Sequence, residues 1–280
     1  MNFKKIMIFF YKVLSSIYIY IFGRRRMQFI NNIIFSLSLN AKGYKNYGSF
    51  NKTGEKKFIK KINKDLFFCL DIGANVGKYT ELLLKETESK IVSFEPLEKA
   101  FQELKMIESQ NPSRLKVFNN AIGEKKEILE LNYSNDMSEK ASFTEHLDKL
   151  SFYEFHKNKK IKKNILSLDS FVKENLDIFN VKEIDLIKID TEGFELEVLK
   201  GAQETIKKMS PKYVQLEFNW HQLFKNHNMY SFSKYLKEYQ LFQILPFGND
   251  LIKVDPNRPE TNIYHLSNFV YIRKDMSIKF

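Results

Sequence analysis

The chain has 280 residues, 43% of them hydrophobic and 28% charged, a balance that excludes a disordered, collagenous or disulfide-stapled protein and is long enough for one large α/β domain with a real core. Its single cysteine, Cys69, excludes an intramolecular disulfide framework and a cysteine zinc site, and inside LFFCL it reads as a small buried residue. The net charge of +11 looks like a nucleic-acid signal until it is located: residues 1–66 carry 14 Lys/Arg against only Glu55 and Asp65, while the remainder carries 31 against 32.

The first element in chain order is IMIFFYKVLSSIYIYIF, Ile6 to Phe22, preceded by Lys4 and Lys5 and followed by Arg24, Arg25 and Arg26. A cationic start imitates a secretory leader, but there is no small-residue cleavage site, Lys12 interrupts the run and three arginines close it, so the segment reads as uncleaved. Its 17 residues are at the lower limit for spanning a bilayer, and Lys12, Ser15 and Ser16 fall on one stripe of a helix. The expected role is a helix lying in the cytoplasmic membrane interface, its basic ends drawn to anionic headgroups. A helix packed on the domain or on a partner subunit is the alternative. This organisation divides the chain into a basic, apolar arm over 1–50 and a folded domain over 51–280, located in the cytoplasm with peripheral contact at the inner face of the cell membrane.

Apolar runs then alternate with amphipathic stretches. Strands are predicted at 66–71, 90–95, 115–120, 184–190, 212–218, 241–246 and 267–274, with helices at 78–87, 97–109, 194–209 and 231–239. Two further segments, 125–133 and 164–172, read as extra strands around a polar, mobile stretch from about Asp136 to Lys163. The lysine-rich run KNKKIKK, 157–163, reads as a solvated face, with an acidic or phosphorylated acceptor as its other use. Strands alternating with helices predict a mostly parallel sheet covered on both faces, binding its ligand beyond the carboxyl ends of the strands.

The chemistry begins at LDIGANVGKYT, residues 70–80. Gly73 and Gly77 permit positive φ, Asn75 stands on the same bend, and the helix that follows aims unpaired N–H groups at the turn. The dinucleotide spacing G-x-G-x-x-G is absent, and Asp71 stands at the strand end. A carboxylate there disfavours a pyrophosphate and favours a cationic ligand such as the amino-acid part of S-adenosylmethionine. Glu95, ending the second strand in KIVSFEP, is placed to accept both hydroxyls of a ribose, a device NAD sites share. Asn119, Asn120 and Ala121 end the third strand, where an adenine ring could stack. The most specific stretch is DLIKIDTEGFELEVLKGA, 185–202: Asp190 ends a strand, Glu192 and Gly193 form a turn, and Glu195 onward continues into a helix.

Taken together, LDIGANVGKYT, SFEP, LDSF, KIDTEGFELEVLKGA and QLEFN make residues 66–218 resemble the FkbM family of methyltransferases, with the last strand fitting to about 273. The resemblance implies an α/β, Rossmann-like, seven-stranded class I methyltransferase sheet and S-adenosylmethionine-dependent methyl transfer, usually to oxygen, with acceptors that include polyketides and glycans. Carried onto this chain, it implies cofactor contacts from Asp71, Gly73, Asn75, Gly77 and Glu95, with Asp190 facing the transfer region. The first 50 residues match no motif of the family.

Transfer to a hydroxyl needs alignment and a proton acceptor. Candidates are Asp190, Glu192 and His221, the last in EFNWHQ after the fifth strand. His221 is the expected base on intrinsic pKa, with Asp190 and Glu192 orienting acceptor or cofactor; a loop histidine bonded to backbone is the alternative. A metal-assisted reading would use Asp190, Glu217 and Asn219 for magnesium; it is the less favoured alternative, because the resemblance is to a family not usually described as needing a metal. Trp220 and the aromatic segment around it are candidates to line an acceptor pocket.

The function expected is O-methylation of a bacterial cell-surface glycan or its precursor, with S-adenosylmethionine as donor. The alternatives are O-methylation of a small secondary metabolite and, on a similar sheet, an NAD or nucleotide-sugar enzyme. No nucleic-acid module is visible.

Overall fold

A computed structural model describes residues 3–133, 141–144, 159–175, 177–178, 180–248 and 250–276. The chain divides into two compact units, Met1–Lys42 and Gly43–Phe280. The first contains α1 (Phe3–Phe22) and α2 (Gln28–Ala41), joined by a 3-10 turn at Arg25–Met27. Tyr18 Oη donates to Asn31 Oδ1 at 2.7 Å and Asn31 Nδ2 donates to the Phe22 carbonyl at 2.9 Å. α1 is long and apolar enough to cross a membrane, and none of its Lys5–Phe22 window is buried.

The second unit starts earlier than the sequence-based boundary at residue 50. Tyr44 and Asn46 are already buried in it, with Tyr44 Oη donating to the Glu260 carbonyl and Asn46 N to the Leu266 carbonyl. Two short helices, α3 (Phe50–Thr53) and α4 (Glu55–Ile62), precede β1 (Phe68–Ile72). α5 (Lys78–Glu86), β2 (Lys90–Phe94), α6 (Glu98–Gln110) and β3 (Leu115–Phe118) complete the first half. β4 (Ala121–Gly123), β5 (Glu127–Tyr133) and β6 (Lys159–Ser167) form a separate three-stranded sheet in the order β4-β6-β5. The second half runs α7 (Leu168–Glu174), β7 (Leu186–Ile189), α8 (Glu195–Lys200), α9 (Gln203–Met209), β8 (Tyr213–Phe218), α10 (His221–Phe224), α11 (Met229–Ser233), β9 (Tyr239–Ile244), β10 (Leu251–Lys253) and β11 (Ser267–Arg273).

The main sheet has the order β10-β9-β11-β8-β7-β1-β2-β3. The five strands from β8 to β3 are parallel, while β11 pairs antiparallel with β8 and β9, and β10 antiparallel with β9. The α/β class and the mostly parallel centre agree with the sequence reading; the count is eight strands rather than seven, because the short edge strand β10 adds to the expected set. Strand order departs in both directions from β1, so the crevice beyond the ends of β1 and β7 is the switch point where such sheets bind ligands. The two strands are held level by Asp185, whose Oδ2 accepts from both Phe67 N and Phe68 N at 2.7 Å.

Three local expectations are corrected. LDSF begins α7 rather than continuing a strand: Ser167 caps it by accepting from Ser170 N, and Asp169 accepts from Glu204 N and Thr205 N, holding the start of α9. The helix expected over 194–209 is broken in two where Gly201 packs on another backbone, a Cβ there lying 1.9 Å from the Gly123 carbonyl oxygen. The helix expected over 231–239 shortens to α11, and Tyr239 already opens β9. Of the polar stretch 136–163, residues 136–140 and 145–158 lie outside the described residues. Residues 159–163 form the solvent-exposed beginning of β6, apart from the half-buried Lys163.

Candidate active site

The switch-point crevice opens into a cavity of about 950 Å³, towards the upper end of small-ligand sites, roughly 300–1,000 Å³. Asp71 and Lys188, which line it, belong to a row set by strand register. Ser93, Asp71, Lys188 and Gln215 stand side by side on four neighbouring strands, a polar row where a sheet buried on both faces ordinarily presents apolar side chains. Each member has partners. Asp71 Oδ2 accepts from Thr80 Oγ1 at 2.7 Å, Thr80 also meets Ser93 Oγ, and Gln215 links Tyr79 Oη at 2.6 Å to Glu55 Oε1 at 2.8 Å. Lys188 Nζ lies 3.0 Å from Asp190 Oδ2 and 5.6 Å from the centre of the Tyr79 ring.

The floor is strongly acidic for its burial. Burial pushes Asp71 up to about 6, partly offset by the Thr80 hydroxyl and Lys188, and pushes Glu95 up to about 7 against the two backbone N–H groups that favour its charge. Glu55 is raised by burial, and Glu217 is raised well above the carboxylate range by burial and by Asp190 and Glu192. Lys188 goes the other way: burial opposes its charge, but Asp190, Glu55 and Glu217 outweigh burial and hold the ammonium above the ordinary lysine value.

The turn after β1 works as its spacing predicts at Gly73 and differently at Gly77. Gly73 has φ +85, and a Cβ there would lie 1.9 Å from the Asp190 carbonyl oxygen, so the glycine lets the β1 and β7 ends meet. Asn75 is left-handed at φ 50, and its N–H donates to Glu95 Oε2 at 2.8 Å while Leu97 N donates to Glu95 Oε1 at 2.8 Å. Gly77 does not line the cavity; a Cβ on it would meet Ile107 and Leu104, so it lets α5 approach α6. Asp71, Gly73, Asn75, Glu95, Asn120, Ala121 and Asp190 all line the cavity.

The turn after β7 brings Asp190, Glu192 and Glu217 together, with one carboxylate oxygen of each within 4.8 Å of the others. Asn219 lies between two of them, Nδ2 donating to Glu217 Oε1 at 2.8 Å and Glu192 Oε2 at 3.0 Å, while its Oδ1 accepts from His221 N. Its amide oxygen therefore turns away from the acids, which counts against its use as a metal ligand. Glu195 is structural: it is fully buried and accepts from Thr191 N, Gly193 N and Gln222.

His221 is not where its expected role requires. It is 1% exposed and does not line the cavity. Its Nδ1 faces Thr144 Oγ1 at 3.1 Å and Ser142 Oγ at 3.4 Å, its Nε2 lies 3.4 Å from Glu192 Oε2, and Trp220 stacks on its ring at 3.7 Å. Trp220 and its neighbouring aromatics also stay out of the cavity, whose aromatic walls come from Tyr47, Phe50, Tyr79, Phe143 and Phe194. Sequence reasoning missed Glu55, Lys188 and Asn268. A lysine inside the apolar run LIKI was the one legible signal.

The donor set suits a ligand carrying positive charge and hydrogen-bond donors. Asn268, across from Glu217 in register and lining the same cavity, is 3% exposed with its Oδ1 unpartnered. Asp71, Glu55, Asp190 and Glu217 line the cavity, carboxyl groups of the kind a cationic amine or sulfonium requires, and each Glu95 oxygen keeps a lone pair for a ribose hydroxyl. These residues fit S-adenosylmethionine.

The model described as the methyltransferase FkbM domain matches residues 71–242. Among solved structures, an rRNA methylase from Streptococcus thermophilus matches at 11% identity, covering 78% of this chain and 93% of that one, with a TM-score of 0.40. Precorrin-6y C5,15-methyltransferase from Geobacter metallireducens matches at 8% identity over 79% of this chain and 87% of that one, with a TM-score of 0.41. A search of curated proteins finds no match.

Proposed function

The chain belongs to the FkbM family of S-adenosylmethionine-dependent methyltransferases, whose domain spans residues 71–242, and from that premise we propose that it methylates a hydroxyl of a bacterial cell-surface glycan or its precursor. The observation that carries the oxygen-transfer reading is the pair Asp190 and Glu192 on the cavity wall, side chains 34% and 23% exposed, with Lys188 behind one and His221 behind the other.

When bound, the cofactor supplies an electrophilic methyl carbon on a sulfonium. Asp71, the Asn75 turn, Glu95 and the Asn120–Ala121 segment would hold it. The acceptor hydroxyl loses its proton as its oxygen takes the methyl group, and Glu192 is the carboxylate placed to receive that proton. His221 Nε2 orients Glu192 from behind, reversing the roles expected from sequence, and Asp190, fixed by Lys188, positions the acceptor.

Two features favour a sugar acceptor. The cavity is large enough to hold an acceptor beside the cofactor, and Tyr47 and Phe50 offer flat faces suited to sugar rings. The test is incubation with methyl-labelled S-adenosylmethionine and fractionated bacterial extract, with Asp190→Ala as control. Alkali-stable label in glycan or glycolipid that disappears in the control supports the proposal. Label only in small metabolites, RNA or protein refutes the glycan acceptor.

A further inference from the structure

The first unit leaves an unusual amount of apolar surface uncovered. Along α1, Phe10, Leu14, Ile17 and Ile21 are 45–64% exposed, and on α2 Phe29, Phe35 and Leu37 are 59–75% exposed. So many exposed large apolar side chains on one unit mark it as a binding element. The same unit, residues 1–42, carries seven Lys/Arg and no Asp or Glu, three of the seven adjacent at Arg24, Arg25 and Arg26.

We propose that residues 1–42 are an interfacial anchor that lies in the plane of an anionic lipid bilayer. Charge selects this occupant. A second copy of the unit would bring seven positive charges against seven, and a nucleic acid would meet the charges yet leave the apolar side chains in water. An anionic bilayer satisfies both, taking the apolar side chains into the acyl boundary and the basic ones among its headgroups.

Position selects the orientation. α1 has 20 residues, about 30 Å at 1.5 Å per residue, which is long enough to span. Lys12 is the tenth of those twenty, so spanning would place its ammonium at the bilayer midplane, the most costly depth for a charge. In the plane, Lys5, Lys12 and Ser16 share one helix face at spacings of seven and four, with Ile8, Phe9 and Ile19 beside them at its boundary with the apolar region, and Phe10, Leu14, Ile17 and Ile21 share the opposite, wholly apolar face. Ser16 Oγ donates to the Lys12 carbonyl, so that face meets its own polar groups. α2, at 14 residues, is too short to span.

The anchor is independent of the methyl-transfer reading, and its test reads lipid binding alone. Full-length protein is floated with vesicles of phosphatidylcholine, or of phosphatidylcholine mixed with phosphatidylglycerol. It should float with the anionic vesicles, and replacing Arg24, Arg25 and Arg26 by Ala should weaken binding by about two orders of magnitude. Ser16→Cys and Leu14→Cys then report orientation, because Cys69 is fully buried and silent to an aqueous maleimide. On vesicles Ser16→Cys should label as it does in solution, and Leu14→Cys should be protected. No flotation, or oligomers that depend on residues 1–42 in its place, overturns the proposal. Protection of both positions overturns the in-plane orientation, and protection of neither overturns insertion.

Discussion

Lys188 Nζ lies 3.0 Å from Asp190 Oδ2, the lysine 2% and the aspartate 34% exposed. Four lysines line the cavity, Lys56, Lys78, Lys85 and Lys188, and Lys188 is the buried one whose charge Asp190, Glu55 and Glu217 favour. Lys188→Met would leave these carboxylates without it. Breaking a buried pair costs about 3–5 kcal/mol, and the exposure of Asp190 puts this case near the lower end. Urea unfolding at neutral pH should show a loss of about 3 kcal/mol; an unchanged midpoint would mean the pair contributes nothing.

Glu95 gives a pH signature of known sign. Its folded pKa, about 7, lies above the ordinary 4.5, so the folded state holds the proton more tightly. Its contribution to stability is complete below about pH 4.5 and is lost as pH rises through 7. Glu95→Gln imitates the protonated acid. Relative to this variant, the unmodified protein should lose up to about 3 kcal/mol between pH 4.5 and about pH 8, read by denaturant titration at each pH. A pH-independent difference would place the Glu95 pKa in its ordinary range.

The two glycines of the first turn should respond differently. Gly73→Ala forces a Cβ against the rigid Asp190 carbonyl, whereas Gly77→Ala meets only the side-chain tips of Ile107 and Leu104. Both pay for φ near +85 to +88, about 1–2 kcal/mol. Gly73→Ala should therefore lower the melting temperature much more than Gly77→Ala and weaken S-adenosylhomocysteine binding as well. Equal effects would contradict the close approach at Gly73.

Glu192 and His221 separate on kinetics. Glu192→Gln should lower kcat roughly 10²–10⁴-fold. His221→Asn should lower kcat by about tenfold, since the histidine touches Glu192 and not the cavity. A loss with His221→Asn as large as that with Glu192→Gln would return the base to His221.

Methyl transfer should persist in EDTA. Asp190, Glu192 and Glu217 resemble a cation site, but Lys188 already faces Asp190 and Asn219 Nδ2 already bridges the two glutamates. Activity abolished by EDTA and restored by magnesium would establish a metal.

Local chemistry made much of this protein legible. The alternation of apolar runs with amphipathic stretches declares a mostly parallel sheet, because side-chain period is a property of neighbouring residues. LDIGANVGKYT and KIDTEGFELEVLKGA declare where that sheet turns, because a left-handed Asn75 or Gly193 and an acid at a strand end are set within a few residues. The apolar, acid-free start of the chain is likewise visible by composition alone. Tertiary structure decided the rest. Lys188 became the counter-ion of the floor only because β7 pairs with β1 and β8 in one register, and Glu55 reached Gln215 across 160 positions. Gly77 lets α5 pack on α6, and His221 lies behind Glu192. In each case the deciding partner is distant in sequence, so burial, register and pKa follow from which strands are neighbours, and that relation exists only once the chain has folded.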